Sequence, residues 1–351
     1  MARISQHQLP HDEYHGVVIV GAGLSGLSAA RILLEHDMQP LVLERESHAG
    51  GRCMTAVHNG GAYDMGAQFF TVRRPEFQHW TDAWIGAGAV REWTRGFPDI
   101  SGISERASHP RYCGVAGMSA LPDALAKGAQ IRLNTSVKRI SEGRACWLID
   151  VENGTRIKAD IVLLTPPLPA ALRLISDENT WRMGALLLPL TGVEYVPCIA
   201  AAVALDGPSG LSAPGAIRVD GAVVAWLTDN QIKGISPDAP AVTAHASRAF
   251  SERHRDTPLD VVEKLLAEAL ARFLKSPITS LSAYRWDYGI PANTLQKNFY
   301  LVEGRAPLYF AGDAFCGGQI EGATLSGIAA GKAITERLRL SKNTAGRPVG
   351  G

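Results

Sequence analysis

Gly21, Gly23 and Gly26 space out a G-x-G-x-x-G turn, and an acid, Glu44, stands 18 residues beyond the last of them. Such a turn suits phosphate. Gly21 makes the bend tight, Gly23 lets the backbone approach a pyrophosphate, and Gly26 lets a helix pack closely on its strand. Leu24 and Ser25 complete the turn, and the helix start offers unpaired N–H groups and a positive dipole end to an anion. Glu44, with Arg45 beside it, can accept a hydrogen bond from a ribose 2′-hydroxyl. Its charge disfavours a 2′-phosphate, so the nucleotide implied is FAD or NAD rather than NADP.

A second group of this kind lies near the C-terminus, in LYFAGDAFCGGQIEGATLSGIAAG. Asp313 follows Gly312 at a strand end, where its carboxylate could bind the hydroxyls of a polyol. Gly318 loosens the loop, and Glu321, Gly322 and Ala323 open a helix whose positive end would face that loop. Gly327, Ala329, Ala330 and Gly331 keep the helix slim. Between the two groups, Gly50 and Gly51 precede Arg52, whose planar fork suits phosphate oxygens. Standing alone, that stretch would read as a surface turn with a solvated arginine. The segment AYDMGAQFFT follows it closely. There Gln68 is a neutral donor and acceptor that could bind an amide, and Asp64 could fix the turn or hold a backbone N–H. Phe69 and Phe70 alternate sides if extended, so at most one would face a planar substrate. A structural part for Asp64 and a core part for one Phe serve equally.

The elements that position these residues are legible. Val17 to Val20 is a continuous apolar run, as in a strand buried on both faces. Leu27, Ala30 and Leu34 fall on one helical face, and Leu41 to Leu43 make a second strand ending at Glu44. Leu308 to Ala311 reads as a short strand before the second loop. In PLDVVEKLLAEALARFL, Thr257 can cap a helix with Pro258 in its first turn. Val262, Leu265, Leu266, Ala269, Leu270 and Phe273 then form an apolar stripe that reads as core.

Composition narrows the class. The 351 residues are 46% hydrophobic and 20% charged, the balance of a globular protein with a substantial core. A formal net charge of +1 argues against a general nucleic-acid or membrane-surface binder. The five cysteines are scattered without a C-x-x-C pair, which suggests neither a disulfide framework nor a zinc site, and reduced thiols point to the cytoplasm. The N-terminal stretch has no apolar run of a secretory signal, and no segment is apolar for long enough to span a membrane. The polar tail SKNTAGRPVGG is expected to be disordered.

Taken in order, G-x-G-x-x-G, Glu44, GGR and the GD…EGA…SG segment resemble the glutathione-reductase-like FAD fold in its amine-oxidase branch, along almost the whole chain. RLNTSVKRI is similar too, with Val137 where the branch uses a backbone contact to adenine. ADIVLLTPP, carrying Thr165, resembles the strand and turn that return toward the flavin. The resemblance selects FAD over NAD. It implies an α/β architecture: a discontinuous Rossmann-like FAD domain over about 15–71, 111–168 and 282–340, with an α+β substrate domain from insertions at 72–110 and 169–281. The tails 1–14 and 341–351 are expected to be flexible.

In that branch the segment after GGR passes beside the isoalloxazine, which brings Gly66, Ala67 and Gln68 to the cofactor. The string D-x-G-A-Q-F-F-T resembles the renalase family, particularly its bacterial members. YCGVAGMSALPDALAKGAQIRLNTSV, AVVAWLTDNQIKG, TAHAS and AYRWDYGIPA are similar to segments of that family in the same order. One departure is visible: after Trp226, Asn230 and Lys233 the family tends to continue Pro-Gly-Arg, whereas this chain has GISP.

The resemblance implies noncovalent FAD, despite Cys316 in the flavin-side loop. It also implies oxidation of misreduced 2- and 6-dihydro NAD(P) by hydride transfer, with oxygen as acceptor and hydrogen peroxide as product. A dihydropyridine gains aromaticity on losing hydride, so the protein need supply only orientation and a preorganised field. Trp226, Trp286 and Tyr288 could line the pocket by stacking, and His245 could bind substrate or tune the flavin; each could equally be core. Tyr112 and Arg285 are lesser candidates. A small-amine oxidase or dehydrogenase sharing the fold is the alternative, and would use an aromatic cage and a flavin-side lysine, for which Lys297 is the nearest candidate. A sensor that binds a dinucleotide without turnover is a third reading.

Overall fold

The protein is described here by a computed structural model covering residues 13–99, 101–102, 109–219 and 221–345, with side chains to 342. Most of the expected flexible tails, 1–12 and 346–351, lies outside the described residues. Glu13 and Tyr14 begin the first strand, and residues 341–345 continue the last helix.

Among the described residues, the main sheet has eight strands. Leu308–Phe310, Arg156–Leu164, Glu13–Val20, Leu41–Leu43 and Gln130–Arg132 lie parallel in that order, with Tyr300–Val302 antiparallel at one edge. The hairpin of Val137–Glu142 and Trp147–Val151 joins through the outer half of Arg156–Leu164. Both faces are covered, which is why the apolar run is unbroken. Alternation sends Val18, Val20, Leu41 and Leu43 into one core and Val17, Ile19 and Val42 into the other. Against the second face lie the helix Leu24–Leu34 and the C-terminal helix Gln319–Ala345.

A second, antiparallel sheet runs Ala216–Arg218, Val224–Asp229, Ala241–Ala246, Tyr195–Leu205, Ile278–Pro291. The last strand, across which the expected domain boundary at 281/282 falls, is one 14-residue element of this sheet. Its outer face packs on the helix Leu259–Leu270 through Val262, Leu266 and Leu270. Leu265 is exposed and Phe273 lies past the helix end, so the buried stripe is narrower than the sequence suggested. Pro258 takes the N-cap position expected of Thr257. Thr257 instead pairs its hydroxyl with His254 and gives its carbonyl to Arg285.

The inner face turns toward the hairpin Thr55–His58 and Gly61–Asp64, with Tyr63 and Met65 covering Ala200 and Ala202. That contact brings AYDMGAQFFT between the two sheets. Among the described residues, no helix is long and apolar enough to cross a membrane.

Candidate functional site

The first glycine turn is built as its spacing requires. A Cβ on Gly26 would fall 2.0 Å from the Gly21 carbonyl oxygen, whereas one on Gly23 would meet nothing within 4 Å. Among the described residues, open space beside Gly23 and a buried Ser25 hydroxyl without a partner leave room and a polar group at the start of the helix. Glu44 is buried and already holds the loop, accepting from Ala22 N at 2.7 Å and Glu46 N at 3.0 Å. Thr135 N donates to the Glu44 carbonyl at 2.8 Å, which sets the chain leading into Val137 beside the acid. Arg45 is exposed and pairs with Glu46. Thr165 donates its hydroxyl to Val20 O at 2.8 Å, tying the returning strand to the turn.

The second glycine loop docks on the first. Gly312 N donates to Ser326 Oγ at 3.0 Å, and Gly327 abuts Ser25, so the two helices touch near both loops. Arg52 Nη1 pairs with Asp313 Oδ2 at 2.6 Å, and Tyr195 donates its hydroxyl to Asp313 Oδ1 at 2.8 Å. The three motifs that the sequence places far apart thus share one network. Gly318 lies in the loop with φ +77°. Gly322 passes Phe315, where a Cβ would come within 2.9 Å of its carbonyl oxygen, and Ala323 follows in the helix. Glu321 accepts from Arg73 N at 3.0 Å.

The segment Met65–Gln68 lies on this network. A Cβ on Gly66 would fall 2.1 Å from the Arg52 carbonyl oxygen, and Ala67 N donates to that oxygen at 2.9 Å. From the opposite side, Trp286 Nε1 donates to Met65 O at 2.9 Å. His245 hydrogen-bonds the Met65 backbone and stands 3.4 Å from Gln68 Nε2. Burial drives the His245 pKa down to about 4 despite the Met65 hydrogen bond, so the ring is neutral at pH 7. Gln68 turns its amide onto its own turn, donating to Asp64 O and, at 3.1 Å, to Gly66 O, while its buried Oε1 has no partner among the described residues.

Phe69 and Phe70 do face opposite ways. Phe70 is buried against Phe77, Trp84 and Tyr112, where Tyr112 stacks at 5.5 Å. Phe69 joins Trp93, Phe97 and Trp226, with Phe97 and Trp226 4.7 Å apart. Trp226 pairs across the sheet with His245, so this aromatic group continues from Gln68 along one face. The Arg111 guanidinium lies over Phe69 and Phe97 at 5.8 and 5.1 Å.

Other candidates are placed elsewhere. Tyr288 meets Tyr195 edge-on and takes a hydrogen bond from Arg173, on the Asp313 side. Arg285 points to the outer face, donating to the His254 and Thr257 carbonyls. Lys297 is exposed over the Tyr300 ring at 4.8 Å. Cys316 is a buried free thiol beside Asn298.

The sequence did not single out Trp93, Phe97, Arg111, Tyr195 or Tyr284, and it marked Lys233 only as a position before the GISP departure. Lys233 is fully buried and pairs with Asp64, its Nζ 2.6 Å from Oδ2. No local pattern announces it, because lysine is ordinarily exposed. Tyr284 packs on Trp286 at 4.5 Å. A period of two through Tyr284, Trp286 and Tyr288 could have revealed it, and would have put Arg285 on the other face. The GISP departure lies at this contact as well: Ser236 Oγ accepts from Ala62 N at 3.2 Å.

Comparison with known proteins fits this geometry. The family model for flavin-containing amine oxidoreductase matches residues 76–335, and that for an NAD(P)-binding Rossmann-like domain matches 19–84. Renalase of Mus musculus is 24% identical over 321 residues, covering 86% of this chain and 92% of its own length. Flavin-containing amine oxidase A of Bos taurus is 48% identical over 54 residues only, 13% of this chain and 10% of its own length. Among solved structures, putrescine oxidase bound to putrescine superposes with a TM-score of 0.65 at 15% identity, over 92% of this chain and 99% of that one. A CLA-producing fatty acid isomerase from P. acnes gives 0.65 at 13%, over 92% and 98%. An oxidase and an isomerase share this fold, so fold alone does not choose the reaction.

Proposed function

This chain belongs to the family of flavin-containing amine oxidoreductases and is an FAD-dependent oxidoreductase, and on that premise we propose that it oxidises misreduced 2- and 6-dihydro NAD(P) to the normal oxidised coenzyme. The balance is one dihydropyridine, one dioxygen and one proton giving oxidised coenzyme and hydrogen peroxide. When bound, FAD supplies the hydride acceptor and the return of electrons to oxygen.

The residues present fit the group. Open space beside Gly23, the unpartnered Ser25 hydroxyl and the paired Arg52 and Asp313 support a pyrophosphate and polyol chain held by Gly21 to Gly26, Gly51, Arg52, Gly312, Asp313 and Gly318. Glu44, Val137 and Thr165 would serve the adenosine side and its return strand, and Glu321 to Ala323 the flavin side. Gly66, Ala67 and Gln68 would lie along the ring.

The observation that carries the substrate reading is the neutrality of this segment's polar neighbours. Lys233 is spent on Asp64, and His245 is uncharged with its pKa near 4. Hydride loss from a dihydropyridine releases no proton, so a site whose charges are paired and which offers no free acid or base suffices. Trp226 and Phe69 would stack on the nicotinamide, and His245 and Trp286 would hold Met65–Gln68 behind it. Likeness to renalase over 86% of the chain supports the same reading.

The Phe69 and Trp226 rings, 5.9 Å apart, favour oxidation of a small amine as the second reading. Anaerobic stopped-flow mixing separates the two. Bleaching of the flavin by isomeric dihydronicotinamides but not by a panel of amines is expected, with steady-state peroxide in air. Rapid bleaching by an amine, with the dihydropyridines inert, would reverse the assignment.

A further inference from the structure

The Lys233 ammonium is delivered from the substrate-side sheet into the segment that meets the nucleotide loops. It sits in the turn after Val224–Asp229, where Lys233 N donates to Asp229 O at 2.9 Å and Asp229 Oδ1 accepts from Ile232 N at 2.8 Å. Neither Lys233 nor Asp64 exposes any side-chain surface. Nζ donates to Asp64 Oδ2 at 2.6 Å and to the Gln68 carbonyl at 2.7 Å, and lies 4.6 Å from the Trp93 ring centre. Asp64 Oδ1 takes Thr55 Oγ1 at 2.6 Å and Met118 N at 2.7 Å. Gln68 Nε2 returns to Asp64 O. The pair therefore closes a ring around residues 64–68, whose other side rests on the Arg52 carbonyl.

A buried ion pair is a poor device for stability alone, since apolar residues of similar volume often do as well. Its effect here is local. It fixes five consecutive residues from both ends and leaves two opposite charges that cancel beside the cofactor segment.

We propose that Lys233 and Asp64 are positioning residues that set both the placement of Met65–Gln68 against the flavin and the electrostatic balance felt there. The inference rests on FAD as cofactor and not on the choice of hydride donor. Removing one charge unmasks the other in a medium that screens it poorly. An unmasked Asp64 disfavours electron uptake by the flavin, and an unmasked Lys233 favours it.

The test compares K233M, D64N and the D64N/K233M double variant as FAD-loaded proteins, with the midpoint potential measured against a reference dye and no substrate present. A lower potential in K233M, a higher one in D64N and a near-return in the double variant are expected. NMR titration should move His245 upward in K233M and downward in D64N, since Lys233 depresses and Asp64 raises its pKa. Each single variant should also slow flavin reduction by the hydride donor, by up to about 100-fold for a displacement of about 1 Å, with K233R slowing it less. If K233M loses FAD, D64N and the double variant decide the question. Potentials and His245 titration that stay at wild-type values, or that shift in one direction for both singles, would overturn the proposal. Failure of dihydropyridines as substrates would instead strike the functional reading and leave these measurements intact.

Discussion

Gly327→Ala tests the packing that joins the two glycine-rich loops. The added Cβ would lie 2.0 Å from Ser25 O, 2.8 Å from its carbonyl carbon and 2.9 Å from its Cα. All three are backbone atoms of the first helical turn, so no side chain can swing aside. Restoring ordinary contact requires the helices to part by about 1.4 Å, and such overpacking costs about 1–3 kcal/mol. At on the order of 2 °C per kcal/mol or less, the melting temperature should fall by a few degrees. Leu24–Leu34 would carry its N-terminal N–H groups with it, so FAD affinity should fall too, and the gain in melting temperature on adding FAD should shrink. Gly184→Ala is the control, inside the helix Asp177–Thr191 with nothing within 4 Å of its Cβ. It should stabilise by about 0.5–1 kcal/mol. Differential scanning calorimetry of apo and loaded protein, with FAD titration by fluorescence, reads both quantities. Should Gly327→Ala match Gly184→Ala in stability and FAD affinity, the close-approach argument is wrong.

Asp313→Asn should weaken FAD retention more than Tyr195→Phe. It leaves the half-buried Arg52 without its anion, while the tyrosine change removes one hydrogen bond of about 1 kcal/mol; equilibrium dialysis ranks them. His245 has a folded pKa near 4 against an ordinary 6.5, so the unfolded chain binds more protons between those values. Its contribution is intact above about pH 6.5 and is lost as pH falls toward 4; urea midpoints of wild type and His245→Gln should diverge in that window, and parallel slopes would count against a buried neutral ring. Lys297→Met should leave the rate of flavin reduction unchanged, because Lys297 is an exposed residue over Tyr300; a large loss in stopped flow would restore it as a flavin-side lysine.

By itself, the sequence determined the local frame of the first glycine-rich turn. The turn at Gly21 to Gly26, the strand before it, the helix after it and Glu44 lie within a few turns of chain, where apolar periodicity and glycine spacing are local signals. The two rings of the Phe69–Phe70 pair divide between opposite faces for the same reason, since alternation in an extended chain needs no partner. Tertiary structure alone decided what surrounds Gln68. Lys233 reaches Asp64 across 169 positions, and nothing local distinguishes it from a solvated lysine. Alternation alone turns Arg285 and Trp286 opposite ways, but only the pairing of their strand decides that one meets the Thr257 carbonyl and the other Met65. His245 is neutral because the fold encloses it. Burial, register and long-range pairing are properties of the packed chain, and they govern which polar groups stay charged around residues 64–68.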